Sequence, residues 1–330
     1  MIQRSNFRKG FRHFLTGSVT FALIGMATAA QAWPDRPIKM IVPFPAGGIN
    51  DVVGRLTAAQ LEKELNTTVI VDNRTGAGGT IGTALAAGSE PDGYTILLGA
   101  SSTIAVAPNL YKNLTYSPTK DLQAIGGIAS AASVLVVGEK SKWKDLDQLI
   151  NAGKQDSAHL NYGSAGAGTS HHIQTEMLKL RTGAKWTHVP YRGGAPAMTD
   201  LIGGQIDFLL EPLPTALQNI NSGRVRPIAV TTKNRSSALP DVKTMEELGV
   251  KDFDASLWFG VFVPAGVDAE KVAILSDALK RVFAKEQVKK DFAERGLTTY
   301  DGTREQFNDF VVSEIKVWGD VIDRAKISVE

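Results

Sequence analysis

The sequence predicts an α/β protein of two lobes, each built on a mostly parallel sheet covered by helices. Short apolar segments alternate with helix-length segments from Pro37 onward, which is the pattern of strands joined by crossover helices. Nine such short segments are too many for one compact sheet, so the chain is expected to divide. Over roughly the last eighty residues the spacing becomes helical, which implies a closing helical region.

In order, the strand segments are PIKMIVPF, TVIVDN, YTILLGA, SVLVVG, LNYGS, THVPY, QIDFLLE, RPIAVTT and LWFGVFVP. Helices are expected over residues 50–65, 79–87, 169–180 and 195–202, the last stopped by Gly203 and Gly204. Val272, Leu275, Leu279 and Val282 repeat at helical spacing, as do Phe307, Val311, Ile315, Trp318 and Ile322, and Thr303 with Gln306 makes a capping box. These stripes read as core faces. One βαβαβ unit is expected over residues 37–100 and another from about 134 to 232. The apolar strands at 133–138 and 257–264 are read as crossings, so residues 33–132 plus 254–330 form one lobe and 133–253 the other. No fixed-period repeat is visible.

Residues 1–32 read as an export signal. Arg4, Arg8, Lys9 and Arg12 precede an apolar stretch, and Ala30-Gln31-Ala32 fits a small-residue cleavage site, so the mature chain is expected to begin near Trp33 in the periplasm. Removing those four bases from 36 leaves 32 against 34 acids, and the formal charge moves from +2 to −2. The basic balance thus belongs to the leader, and nucleic-acid binding loses its support. With no cysteines, stability has to come from buried core.

The segment IVPFPAGGIND runs a strand into Gly47 and Gly48 and then into a helix, and LNYGSAGAGTSHH does the same later. In open α/β sheets ligands sit beyond the carboxyl ends of strands. Glycines there let amides approach a ligand, and a helix N-terminus favours negative charge. Asn50 is expected to cap the first helix and Thr169 or Ser170 the second. A third turn, GASST, follows YTILLG. Tight turns without a ligand are the bland alternative, but three at equivalent strand ends favour a carboxylate site. RTGAGGTIG departs from the dinucleotide spacing GxGxxG, and no P-loop lysine follows any turn.

Arg192 is the candidate guanidinium for a ligand carboxylate, with Glu211 either accepting a ligand donor or fixing Arg192. Their bland reading is a surface ion pair. Ser164 lacks the flanking glycine of a nucleophile elbow, Tyr162 standing there. His171 and His172 have no metal-ligand partners in the sequence pattern; His171 is expected near the ligand turn and His172 in solvent. No enzyme activity, cofactor or metal is expected.

The motifs WPDRPIKMIVPFPAGGIND, VDNRTGAGGTIG, PDGYTILLG, LNYGSAGAGTSHH, HVPYRGGAPAMTDLIGGQIDF and SLWFGVFVPAG resemble the Bordetella uptake gene family, periplasmic solute-binding receptors of tripartite tricarboxylate transporters. The resemblance implies a type II "Venus flytrap" that closes on a small carboxylate: a di- or tricarboxylate, an aromatic carboxylate or an acidic amino acid. By the same resemblance the ligand contacts are Phe44, Ala46, Gly47, Gly48, Ile49, Asn50 and Asp51 in the first turn. Ser101, Ser102 and Thr103 follow in the next, and Ser164, Ala165, Gly166, Gly168, Thr169 and His171 in the last, with Arg192 and Glu211 added from the residue reading. Partners implied are the transporter's membrane subunits, or alternatively a sensor kinase, with the receptor a monomer. Ile49 stands where members often carry a small residue, and Glu211-Pro212 where they often carry an acid followed by Asn. Ile49 with Arg192 would suit an aromatic or dicarboxylate ligand.

Overall fold

The computed structural model describes residues 33–155 and 159–327; the expected export signal lies outside the described residues. The first βαβαβ unit consists of β1 (Ile38–Val42), α1 (Ile49–Leu65), β2 (Val69–Asn73), a 3₁₀ turn (Ala77–Gly79), α2 (Thr80–Ala87) and β3 (Thr95–Ala100). A π-helical turn (Ser102–Val106) and α3 (Ala107–Leu110) lead into β4 (Leu122–Ala131). The chain continues with β5 (Ser133–Gly138), α4 (Leu146–Lys154), β6 (Asn161–Ser164), α5 (Ser170–Thr182), β7 (Thr187–Pro190), α6 (Gly194–Ile202), β8 (Phe208–Pro212), α7 (Leu213–Asn221) and β9 (Val225–Val230). It ends with β10 (Leu257–Pro264), α8 (Ala269–Ala284), α9 (Glu286–Ala293), β11 (Leu297–Thr299) and α10 (Arg304–Ala325).

Two sheets result, ordered β11-β4-β10-β3-β1-β2 and β7-β6-β8-β5-β9. In the first, β1 to β4 share one direction and β10 and β11 oppose it. In the second, β5 alone opposes the other four. Both sheets place the first strand after a crossing, β10 or β5, antiparallel between two others. The second parallel unit therefore begins at Asn161 and not near residue 134, because Val134 belongs to the crossing strand β5.

Only Ala132 separates β4 in one sheet from β5 in the other. The return passage is long, yet it is stitched beside the first. The Ser133 amide donates to Thr231 Oγ1 at 2.9 Å, while the Thr231 amide donates to the Ser133 carbonyl and the Ala255 amide to the Thr231 carbonyl, each at 3.0 Å.

Strand side chains alternate between two buried faces. Ile38, Met40 and Val42 pack with Val53, Leu61 and the α8 stripe, whereas Ile41 and Leu97 face the opposite core with Phe307. In the other sheet Leu135 and Val137 share that second core, while Val134 and Val136 meet Ala197 and Leu201. Burial on both faces explains why these strands read as near-continuous apolar runs. α8 packs on α1 and β4, and α10 on β4 and the π-helical turn.

Strands β4 and β11 are absent from the sequence reading. β4, LQAIGGIASA, is rich in Gly and Ala and looks like a loop. Its Gly127, with Gly260 on the neighbouring β10, leaves room for aromatic rings: a Cβ on Gly127 would fall 2.5 Å from the Tyr300 ring, and one on Gly260 2.3 Å from Phe307. The missing side chains are replaced by rings from the C-terminal segment. β11 is only three residues long.

Candidate functional site

Loops at the carboxyl ends of β1, β3, β6, β7 and β8 border a cavity of about 160 Å³. Residues 44–50 and Ser102 come from one sheet, and Ala165, Thr169, Ser170, His171, residues 192–196, Glu211 and Pro212 from the other.

In the first turn Gly47 has φ +82°, a region in which other residues are strained. Its amide donates to Asp51 Oδ2 at 2.9 Å, and Asp51 also accepts from Arg55 Nε and Asn73 Nδ2, each at 3.0 Å. Burial pushes the Asp51 carboxyl up, but these bonds win and hold it below the ordinary aspartate value. Asp51 thus clamps the turn from behind and does not line the cavity. The nearby glycines of the 3₁₀ segment serve packing: a Cβ on Gly79 would lie 2.7 Å from both Phe44 and Thr103.

α1 begins after Gly48, which offers no side-chain cap, and its first helical bond runs from the Val52 amide to the Gly48 carbonyl at 3.0 Å. The amides of Ile49, Asn50 and Asp51 therefore lack helical acceptors. Asn50, expected as the cap, lies inside the first turn, buried, with Oδ1 unpartnered among the described residues. α5 starts after Thr169, whose hydroxyl donates at 2.6 Å to the Gly166 carbonyl and does not cap the helix. α6 starts after Gly193, again with no side-chain cap. Three helix N-termini from two sheets thus border one cavity with first-turn amides open.

The second turn spends much of its polarity internally. Ser164 Oγ accepts from the Gly166 amide at 3.0 Å and lies 2.6 Å from His188 Nε2. The Gly168 amide donates to His172 Nδ1 at 3.2 Å. Ser164, Gly166 and Gly168 shape the loop, while Ala165, Thr169 and His171 reach the cavity. His172, expected in solvent, is buried, and its ring stacks on His188 with centroids 4.1 Å apart. Burial lowers the pKa of both rings, that of His188 to about 4, so they remain neutral. Of the third turn only Ser102 lines the cavity; Thr103 Oγ1 bonds locally to Ala100, and Ser101 is buried.

Glu211 does not pair with Arg192. It is buried at the end of β8, 3.0 Å from His171 Nε2, and accepts from the Thr215 hydroxyl. α5 and α7 reach its carboxylate first, which also removes the surface ion-pair reading. His171 Nδ1 is buried with no partner among the described residues. Arg192 is exposed at the cavity rim and makes no hydrogen bond or ion pair among the described residues, leaving its guanidinium free to meet a ligand. Pro45, Ser170, residues 193–196 and Pro212 were missed as lining. The signal existed in YRGGAPAM, a glycine pair opening a helix after a strand, the same pattern as PAGGIND.

The model of the tripartite tricarboxylate transporter family receptor (TctC) matches residues 53–327. The chain belongs to this receptor family. It is 38% identical over 305 residues to the protein BugT of Bordetella pertussis, covering 92% of this chain and 94% of that one. Among solved structures it is similar to R. palustris Rpa4515 with adipate, at 31% identity and TM-score 0.86 over 90% of this chain and 99% of that one. It is similar also to MatC from Rhodopseudomonas palustris with bound malate, at 28% identity and TM-score 0.82 over 88% and 99%. The fold is that of a two-lobed periplasmic binding protein, and a TctC-family receptor is not an enzyme. The pair of buried Ser164 and half-buried His188, neither of which lines the cavity, accordingly supports a loop. Among the described residues no helix is long and apolar enough to cross a membrane.

Proposed function

We propose that this receptor captures a small di- or tricarboxylate, aromatic carboxylate or acidic amino acid between its lobes and delivers it to the membrane subunits of a tripartite tricarboxylate transporter. The observation that carries the reading is the convergence of three open helix N-termini, two glycine-rich and one led by Thr169, on one small cavity. Amides with no local acceptor favour an anionic oxygen. The buried free atoms Asn50 Oδ1 and His171 Nδ1 add hydrogen-bonding capacity beside them, and Arg192 supplies a positive charge at the rim. The similar structures with adipate and with bound malate agree with this chemistry.

In this reading residues 33–132 plus 254–330 and residues 133–253 act as the two lobes, and ligand binding biases them toward closure because one carboxylate is held by both. Residues 1–32 direct export and are then cleaved. Thermal-shift screening of the mature chain against mono-, di-, tri- and aromatic carboxylates tests the capture step. A true ligand at a hundredfold excess over its Kd stabilises by about 2.7 kcal/mol; a panel in which no acid raises the melting temperature would reject the proposal. N-terminal sequencing of the exported protein should begin near Trp33.

A further inference from the structure

A second crevice, of about 350 Å³, lies where α10 crosses the start of β10, and it shares no lining residue with the first cavity. Its walls include Trp258, Tyr300, Phe310 and Trp318. On α10, Glu314 Oε2 accepts from both indole N–H groups, Trp258 at 2.8 Å and Trp318 at 3.0 Å. Asp254 and Asp301 also line the crevice, and no Lys, Arg or His does. The carboxylates therefore share an aromatic recess without a counter-charge from its walls. Burial, and then the Asp254 charge, push the Glu314 carboxyl up, the response of an acid held near another acid away from bulk water.

We infer that this crevice is a binding site for a small organic ammonium ion, held by the Glu314 and Asp254 carboxylates against the aromatic walls. Aromatic rings attract cations through their negative faces, and the attraction strengthens when the cation is desolvated. An anion would meet only acids. A bare metal ion needs several converging hard ligands, and among the described residues no group of three or more His, Asp or Glu is placed to hold one. An ammonium ion with a hydrocarbon body matches both the charge and the lining. The carboxylate cavity plays no part in this inference.

Titration calorimetry of the mature chain with phenethylammonium chloride, and with the neutral 2-phenylethanol of similar shape, tests it. The expected result is saturable binding of the ammonium, at least about tenfold weaker binding of the alcohol, and a loss of at least about tenfold in Glu314→Gln and in Asp254→Asn. Gln keeps an acceptor for the two indoles, and Asp254 is exposed, so at least the second variant should fold as the parent does. No saturable binding, equal affinity for the alcohol, or affinity unaltered in both variants would overturn the assignment.

Discussion

The three helices that start at the cavity, α1, α5 and α6, begin differently from α4, α8 and α10. α4, α8 and α10 are capped by their own sequence: Asp145 accepts from the Gln148 amide, Asp268 from the Glu270 amide and Thr303 from the Gln306 amide. α1, α5 and α6 have Gly48, Thr169 and Gly193 at the same position and no side-chain cap. Capping contributes about 1 kcal/mol per helix, so the cavity helices forgo stability that the others take. An open start is not peculiar to the cavity, since α2, α3, α7 and α9 also lack a side-chain cap; what sets α1, α5 and α6 apart is that their starts meet at one cavity.

The largest expected effect comes from erasing this contrast. Gly48 has an extended backbone, and a Cβ there would meet nothing closer than the Pro45 carbonyl at 3.6 Å. Gly48→Asp should therefore fold and give α1 a cap of its own, while its carboxylate occupies the open amides and repels the ligand. Calorimetry should show carboxylate binding weakened by roughly 3 kcal/mol or more with the melting temperature unchanged or slightly raised; retained affinity would detach the first turn from the site. Next is His171→Ala, which leaves Glu211 facing the cavity with Thr215 alone and should weaken carboxylate binding by about 2 kcal/mol. Arg192→Ala, at an exposed rim, should cost about 1 kcal/mol, read from the same titration. The converse test is Asp145→Ala, which should remove about 1 kcal/mol of stability in denaturant unfolding and leave carboxylate affinity as it was.

Acid should act on the second turn. His188 has a folded pKa of about 4 against an ordinary 6.5, so the unfolded chain takes up the proton more readily. The stability this ring contributes is whole above pH 6.5 and is lost as pH falls from there toward 4. Urea unfolding at pH 7 and pH 4.5 should show that loss, and His188→Asn should reduce it.

Much of the fold was legible because both sheet faces are buried. Segments such as MIVPF and SVLVVG announce themselves as strands, and the α8 and α10 stripes as core faces. β4 was not legible, since its reason for having glycines lies in Tyr300 and Phe307, more than 170 positions away. At the site, the turns PAGGIND and GSAGAGTS were readable as glycine-led helix starts, and the first motif even repeats in RGGAPA. The sequence did not reveal which polar groups those turns consume themselves. Asp51, Ser164 and His172 carry the residue types of a binding site, yet Arg55, His188 and the Gly168 amide occupy them. Glu211 follows the same logic: its partner was set by which helix arrives beside the end of β8.

The single-residue passage at Ala132, stitched through Ser133, Thr231 and Ala255 to the return strand, has a mechanical consequence. In the lobe closure proposed above, a tether that short would keep the two halves from sliding apart and make the mouth widen by swinging about this pivot. Displacement then grows with distance from Ala132, and a Pro at position 133, which removes the amide that grips Thr231, would loosen the axis before it disturbed the jaws.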